Sequence, residues 1–257
     1  ATAPQRVLKV ALDDAAATRL ADEAEVLRGL DHPRIVRLLD DPLDVGGRRA
    51  LLLESAGEQT LAEVLRSRRR LSLDLLERWG TELLEAVVAL DRAGVDHRDI
   101  KPGNVGIREN RSDHSKHLVL FDFSLARAGA TAISAGTPPY LDPFLDVPGR
   151  GRYDSAAERY AAAVVLFEMA TGATPQYGDG LSDPAAVRDE ATVEAEQFDA
   201  AVATALVPFF ERALARDWKA RHDTAADMLA EWRGAFAPVA RTVPDDADTR
   251  AEQATWS

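Results

Sequence analysis

The 257-residue chain contains no cysteine. Disulfides, thiolate zinc sites and a cysteine nucleophile are therefore excluded, and the composition suits a cytoplasmic protein. No run of about twenty apolar residues is present, so the sequence offers no membrane span. The N-terminus lacks the basic patch and apolar core of a secretory signal. Positive charge is also scarce. Lys and Arg number 31 against 43 Asp and Glu, a formal net charge of −12, which argues against a nucleic-acid-binding surface on this domain. The one basic cluster, Arg66, Arg68, Arg69 and Arg70, reads as a solvated helix end. Apolar residues make up 46% of the chain. That is ample for a packed core, in one large domain or two closely packed lobes.

Chemistry concentrates in His97-Arg98-Asp99-Ile100-Lys101-Pro102-Gly103-Asn104, followed by Asp122-Phe123-Ser124 at the end of an apolar run. A carboxylate and an amide five positions apart, on a turn closed by Pro-Gly, can face one cavity. Asp99 can accept a proton from an incoming hydroxyl. Asn104 and Asp122 supply hard oxygen ligands of the kind that hold magnesium on phosphates. Lys101 is a cation placed to follow charge onto a transferred phosphoryl group.

These spacings, with Gly136-Thr137-Pro138-Pro139-Tyr140 downstream, resemble the bacterial, eukaryotic-like Ser/Thr protein kinases. The resemblance implies an α+β, bilobal fold. A small β-rich lobe and hinge would span residues 1–56, a helical lobe 57–237, and a polar tail or linker 238–257. It implies ATP with Mg2+ or Mn2+ as cofactors, and a protein substrate. Asp99, Lys101 and Thr137 would be catalytic, with Thr137 bridging the aspartate and the lysine. Asn104 and Asp122 would hold metal. Lys9, in the strand Arg6–Leu12, would bind phosphates and pair with Glu23 on a helix over 15–29. Leu53 would be the gatekeeper, with the Glu54 carbonyl and Ala56 amide reading adenine. Thr131 and Ser134 would be candidate phosphosites, with Arg98 as the phosphate-pairing cation.

The remaining segments read more simply. Asp44 to Arg48 forms a hairpin turn. A long helix runs from an N-cap at Ser72 to Ala93, ended by Gly94. Asn104–Ile107 and Leu118–Leu120 form a hairpin around an exposed loop that carries His114 and His117. The stretch Ala161–Met169 is a buried helix, and 190–216 and 224–236 are further helices.

Several positions depart from the resemblance. No glycine-rich loop precedes the lysine strand, so the piece as written would hold nucleotide poorly. Either the numbering begins inside the domain or the phosphate lid is missing. Ser124 replaces a glycine. Asp142-Pro143-Phe144 stands where Ala-Pro-Glu is usual, so the buried ion pair to an arginine near Arg221 is expected to be lost. Glu158 stands where an aspartate usually meets the catalytic-loop backbone. Val7 crowds the adenine roof and Gly106 vacates the floor, so the slot is expected to be shifted downward. A pseudokinase acting as nucleotide sensor or scaffold is the alternative that these departures motivate. Arg98 and Lys101 set the chain apart from aminoglycoside-type kinases. The motifs of residues 97–232 also resemble the kinase module of large bacterial phage-defence proteins of the PglW type, which implies flanking domains.

Overall fold

In a computed structural model, residues 5–110 and 112–238 are described. Of the expected tail at 238–257, all but Pro238 lies outside them. Strand β1 (Arg6–Val10) leads through Asp13, whose carboxylate accepts from the Ala16 amide, into helix α1 (Asp14–Arg28). That bond satisfies one of the unpaired donors of the first turn. Strands β2 (Leu43–Val45) and β3 (Arg48–Glu54) form the expected hairpin, and β3 lies between β1 and β2 in an antiparallel sheet. The buried Ala24 and Leu27 face of α1 packs into the core that also holds Leu51 and Leu53 of β3.

The chain then enters a larger helical region. Strand β4 (Gln59–Thr60) runs into α2 (Leu61–Arg68), whose start is fixed by a reciprocal capping box between Thr60 and Glu63. Helix α3 (Leu73–Ala93) presents Leu75, Leu76, Trp79, Leu83, Leu84 and Val87 as one buried stripe. Gly94, at φ 66°, ends it directly before the His97–Asn104 segment. Strands β5 (Val105–Glu109) and β6 (Lys116–Leu120) form an antiparallel hairpin, with β4 on the outer edge of β5. Helix α4 (Ser155–Thr171) is buried almost all round, as a central helix must be. Helices α5 (Ala203–Ala213) and α6 (Ala225–Phe236) close the core with Phe167, Phe198, Phe209, Phe210 and Trp232 in edge-on and stacked pairs. Such rings each bury about 150–250 Å2 and add directional contacts. The architecture is the α+β, bilobal one.

Two local expectations are corrected. The helix expected over 190–216 exists only as α5, preceded by a short turn at Ala195–Gln197. Ala191 instead bridges Tyr177 in extended form, the Thr192 amide donates to the Gln176 carbonyl, and the Glu190 carboxylate accepts from the Arg216 amide. These tertiary bonds outweigh local helix propensity. His117 is not in an exposed loop. It lies in β6, where its Nδ1 meets the buried Glu82 carboxylate at 2.5 Å, while His114 stays exposed beside Glu109.

Candidate active site

The β5–β6 hairpin brings distant residues together. Its register pairs Val105 with Leu120, so Asn104 comes level with Phe121, beside Asp122. The Phe121 amide donates to the Asn104 carbonyl at 3.0 Å. His97 ties the other side. Its Nδ1 accepts from the Asp99 amide at 3.3 Å, its Nε2–H donates to the Phe121 carbonyl at 3.0 Å, and its ring packs on Phe123 at 4.5 Å. Full burial pushes the His97 imidazole down to about 4, so it is neutral and its tautomer is set by these two bonds.

Around Asp99 the side chains form a closed polar set. Asp99 Oδ1 accepts from the Thr137 hydroxyl at 2.7 Å, and that hydroxyl accepts from Lys101 Nζ at 2.6 Å. Lys101 Nζ also lies 2.7 Å from Asp99 Oδ2. Asn104 Nδ2 donates to Asp99 Oδ2 at 2.9 Å and to the Asp99 carbonyl at 3.0 Å. Both bonds use the amide nitrogen, so the amide oxygen is the Asn104 atom suited to a cation.

A second set meets it from the small lobe. Lys9 Nζ is 2.7 Å from Glu23 Oε2 and 2.7 Å from Asp122 Oδ1. Glu23 is fully buried, and its other oxygen accepts from the Phe123 amide at 3.2 Å. Burial works against the Lys9 ammonium, but the two carboxylates outweigh it and hold Lys9 above its ordinary value. Burial likewise pushes Asp122 up, yet Lys9 and the Ser124 hydroxyl prevail and hold its carboxyl below the usual range. The serine that replaces glycine thus helps keep Asp122 ionised. Asp122 itself sits at φ 68°, a conformation uncommon for an L residue and frequent at sites under functional constraint.

The donor set suits a hard divalent cation. Among the described residues no cluster of three or more His, Cys, Asp or Glu exists. Magnesium needs none where phosphate oxygens and water complete its shell. The Asp122 carboxylate and the Asn104 amide oxygen are the protein groups that fit it.

The positions expected to face adenine hold a surprise. Leu53 is buried in β3 opposite Val7, and the Glu54 carboxylate pairs with Arg108 at 3.0 Å. Ala56, however, lies directly on Gly106. A Cβ on Gly106 would come within 2.4 Å of the Ala56 carbonyl oxygen and 2.6 Å of its Cβ. Gly57, at φ 122°, approaches β5 just as closely, its Cβ position lying 1.9 Å from the Ile107 carbonyl oxygen. The vacancy expected at Gly106 is therefore filled by Ala56.

The departure at Asp142 is also resolved differently. No ion pair is lost. Arg221 Nη1 and Nη2 reach the two Asp142 oxygens at 2.5 and 3.2 Å, and Arg150 Nη1 adds a contact of 2.8 Å. This acid, two residues before the usual position, is met by two arginines, and Arg150 is held in turn by Asp154. Glu158 accepts from the His97 and Arg98 amides at 2.6 and 3.1 Å and from the Tyr153 hydroxyl at 2.5 Å. Burial pushes its carboxyl up to about 7. Arg98, at φ 68°, donates to the Gly129 carbonyl at 2.9 Å and lies 4.6 Å above the Tyr153 ring. Thr131 and Ser134 are exposed on the same segment. Arg150 and Tyr153 escaped the sequence reading. Their nearness to Asp142 and Glu158 along the chain is the only hint it contains.

A profile of the protein kinase domain matches residues 3–232. The chain is similar to the "Probable kinase PglW" of Streptomyces coelicolor, 43% identical over 274 aligned residues that cover 97% of this chain and 18% of that protein. It is 29% identical to the serine/threonine-protein kinase PrkC of Bacillus subtilis over 231 residues, 85% of this chain and 34% of PrkC. It is 33% identical to the serine/threonine-protein kinase PkaB of Streptomyces coelicolor over 183 residues, 66% of this chain and 42% of PkaB. The chain thus spans less than half the length of each of these relatives. No helix among the described residues is long and apolar enough to cross a membrane. With a profile match that runs from the lysine strand to α6, this chain belongs to the protein kinase family.

Proposed function

We propose that this chain transfers the γ-phosphoryl group of ATP to serine or threonine hydroxyls of proteins. The observation that carries the reading is the single polar set of Asp99, Lys101, Asn104 and Thr137, with Asp122 and Lys9 beside it. Asp99 accepts the hydrogen of the substrate hydroxyl, orients its oxygen and takes its proton as the bond to the γ-phosphorus forms and the bond from that phosphorus to the β–γ bridging oxygen breaks, with ADP leaving. Lys101 stays charged beside the transferred group and offsets the negative charge gathering there. Thr137 fixes Asp99 and Lys101 at hydrogen-bond distance, so little reorganisation is needed at the moment of transfer. Lys9 is held by Glu23 in a pose that serves the α- and β-phosphates. Asn104 and Asp122 would hold magnesium, which neutralises phosphate charge when bound.

The adenine would lie between Val7 and the Ala56–Gly106 contact, bounded by Leu53. We assign residues 1–56 to the small lobe and hinge and 57–237 to the helical lobe. Thr131 and Ser134 are the segment hydroxyls open to phosphorylation, with Arg98 as the cation to receive the phosphate. Likeness to PglW supports a place within a longer bacterial signalling or phage-defence protein. The test is transfer of labelled γ-phosphate to a generic protein such as casein, with acid hydrolysis to identify the labelled residue. The reading expects phosphoserine and phosphothreonine from the wild type and none from Asp99→Ala. Equal incorporation by both would reject it.

A further inference from the structure

We propose that Tyr153 is a positioning residue for phosphoryl transfer, tying the activation segment and the catalytic loop to one side chain. The inference rests on the kinase reading above. Tyr153 lies two residues before α4 and is buried. Three separate parts of the chain meet on it. Its hydroxyl donates to Glu158 Oε2 at 2.5 Å, the carboxylate that also receives the His97 and Arg98 amides. Its ring lies 4.6 Å from the Arg98 guanidinium. Its own amide donates to the Ala130 carbonyl at 2.8 Å, beside the Gly129 carbonyl that Arg98 holds.

Geometry gives each contact a task. Glu158 is a longer acid than the loop position usually meets, and it is buried, so its charge needs donors. The tyrosine hydroxyl is the only side-chain donor among the bonds it receives from the described residues; the other two are loop amides. With the hydroxyl in place the carboxylate stays an acceptor for both amides, and the residue directly before Asp99 is pinned. Arg98 is then sandwiched between an aromatic face and a segment carbonyl, in the left-handed region at φ 68°. A backbone in that region persists only where its surroundings hold it. Removal of the hydroxyl therefore acts on Asp99 through the loop backbone and touches neither Lys9 nor Glu23, which lie on β1 and α1.

The test is Tyr153→Phe, which keeps the ring and deletes the hydroxyl. Amide hydrogen exchange across residues 95–104 is expected to speed up about tenfold at His97 and Arg98, as befits one lost bond to a charged group. In the transfer assay kcat is expected to fall by a similar factor, with the KM for ATP within twofold of the wild type, a split that general loosening of the fold would not give. A folded Tyr153→Phe protein with unchanged exchange overturns the proposal. Native-state exchange of the wild type supplies a second measurement that needs no variant. The His97, Arg98 and Tyr153 amides should open in one step of equal cost, and a Tyr153 amide that opens far more readily than the other two also overturns it. If the wild type transfers no phosphate while the exchange results hold, the kinase reading fails and with it the role in transfer, while the tie of segment to loop through Tyr153 stands as a structural one.

Discussion

Replacing Asp142 by asparagine tests the electrostatics of the large lobe. The change keeps the volume of the side chain and removes its charge. It leaves two guanidinium groups behind, both with side chains 1% exposed. Arg150 keeps Asp154 as a partner at 2.8 Å. Arg221 keeps no carboxylate among the described residues, only the Ala215 and Ala156 carbonyls at 2.8 and 3.4 Å and the Tyr160 ring at 4.6 Å. The penalty therefore falls mainly on Arg221. Breaking a buried pair by removing one partner costs about 3–5 kcal/mol, a large share of the roughly 5–15 kcal/mol that holds a domain folded. For a chain of this size that loss lowers Tm by about 10 °C. Asp142→Glu keeps the charge but adds a methylene to a filled, closed site, and overpacking costs about 1–3 kcal/mol. Urea denaturation followed by circular dichroism measures both. The reasoning is refuted if Asp142→Asn lies within about 1 kcal/mol of the wild type at unchanged m-value, because the arginines would then not depend on that charge.

Other perturbations probe different links. Burial raises the Glu158 carboxyl from its ordinary 4.5 to about 7 in the folded state. Folding therefore takes up a proton between those values, and this contribution to stability is full below pH 4.5 and is lost as pH rises through 7. The difference between wild type and Glu158→Gln should accordingly drift by about 3 kcal/mol across that window, and a flat difference would contradict the shift. At the hinge, Gly106→Ala should weaken ATP binding at least tenfold, since its Cβ would meet the Ala56 carbonyl at 2.4 Å. Calorimetric titration decides this, and tighter binding would show that the floor is vacant after all.

Much of the site was legible because its residues lie close in sequence. The stretch His97 to Asn104 and the hairpin that follows need only one register, Val105 opposite Leu120, to converge. The lysine strand and helix α1 could be placed by hydrophobic period and spacing. What escaped depends on approach between distant backbones. Nothing in the letters says that the hinge at Ala56 presses on Gly106, or that Arg150 swings onto Asp142. Phe144 stands where the family's glutamate is usual, and pattern reading took that as a lost pair. The packed chain supplies the acid two residues earlier, at Asp142, and adds a second arginine. The overlong helix at 190–216 failed for a related reason. Bonds from Gln176 and Arg216 draw residues 190–192 into extended form, and neither is local in sequence.

The proposed convergence of Asn104 and Asp122 on one metal-nucleotide pocket is open to a direct reading. ATP affinity would be measured with and without Mg2+ for the wild type and for Asp122→Asn. Metal should tighten ATP binding by the wild type, and the variant should lose that increment while its metal-free affinity stays within a few-fold. An undiminished magnesium increment in Asp122→Asn would place the metal elsewhere and contradict the site described for this chain.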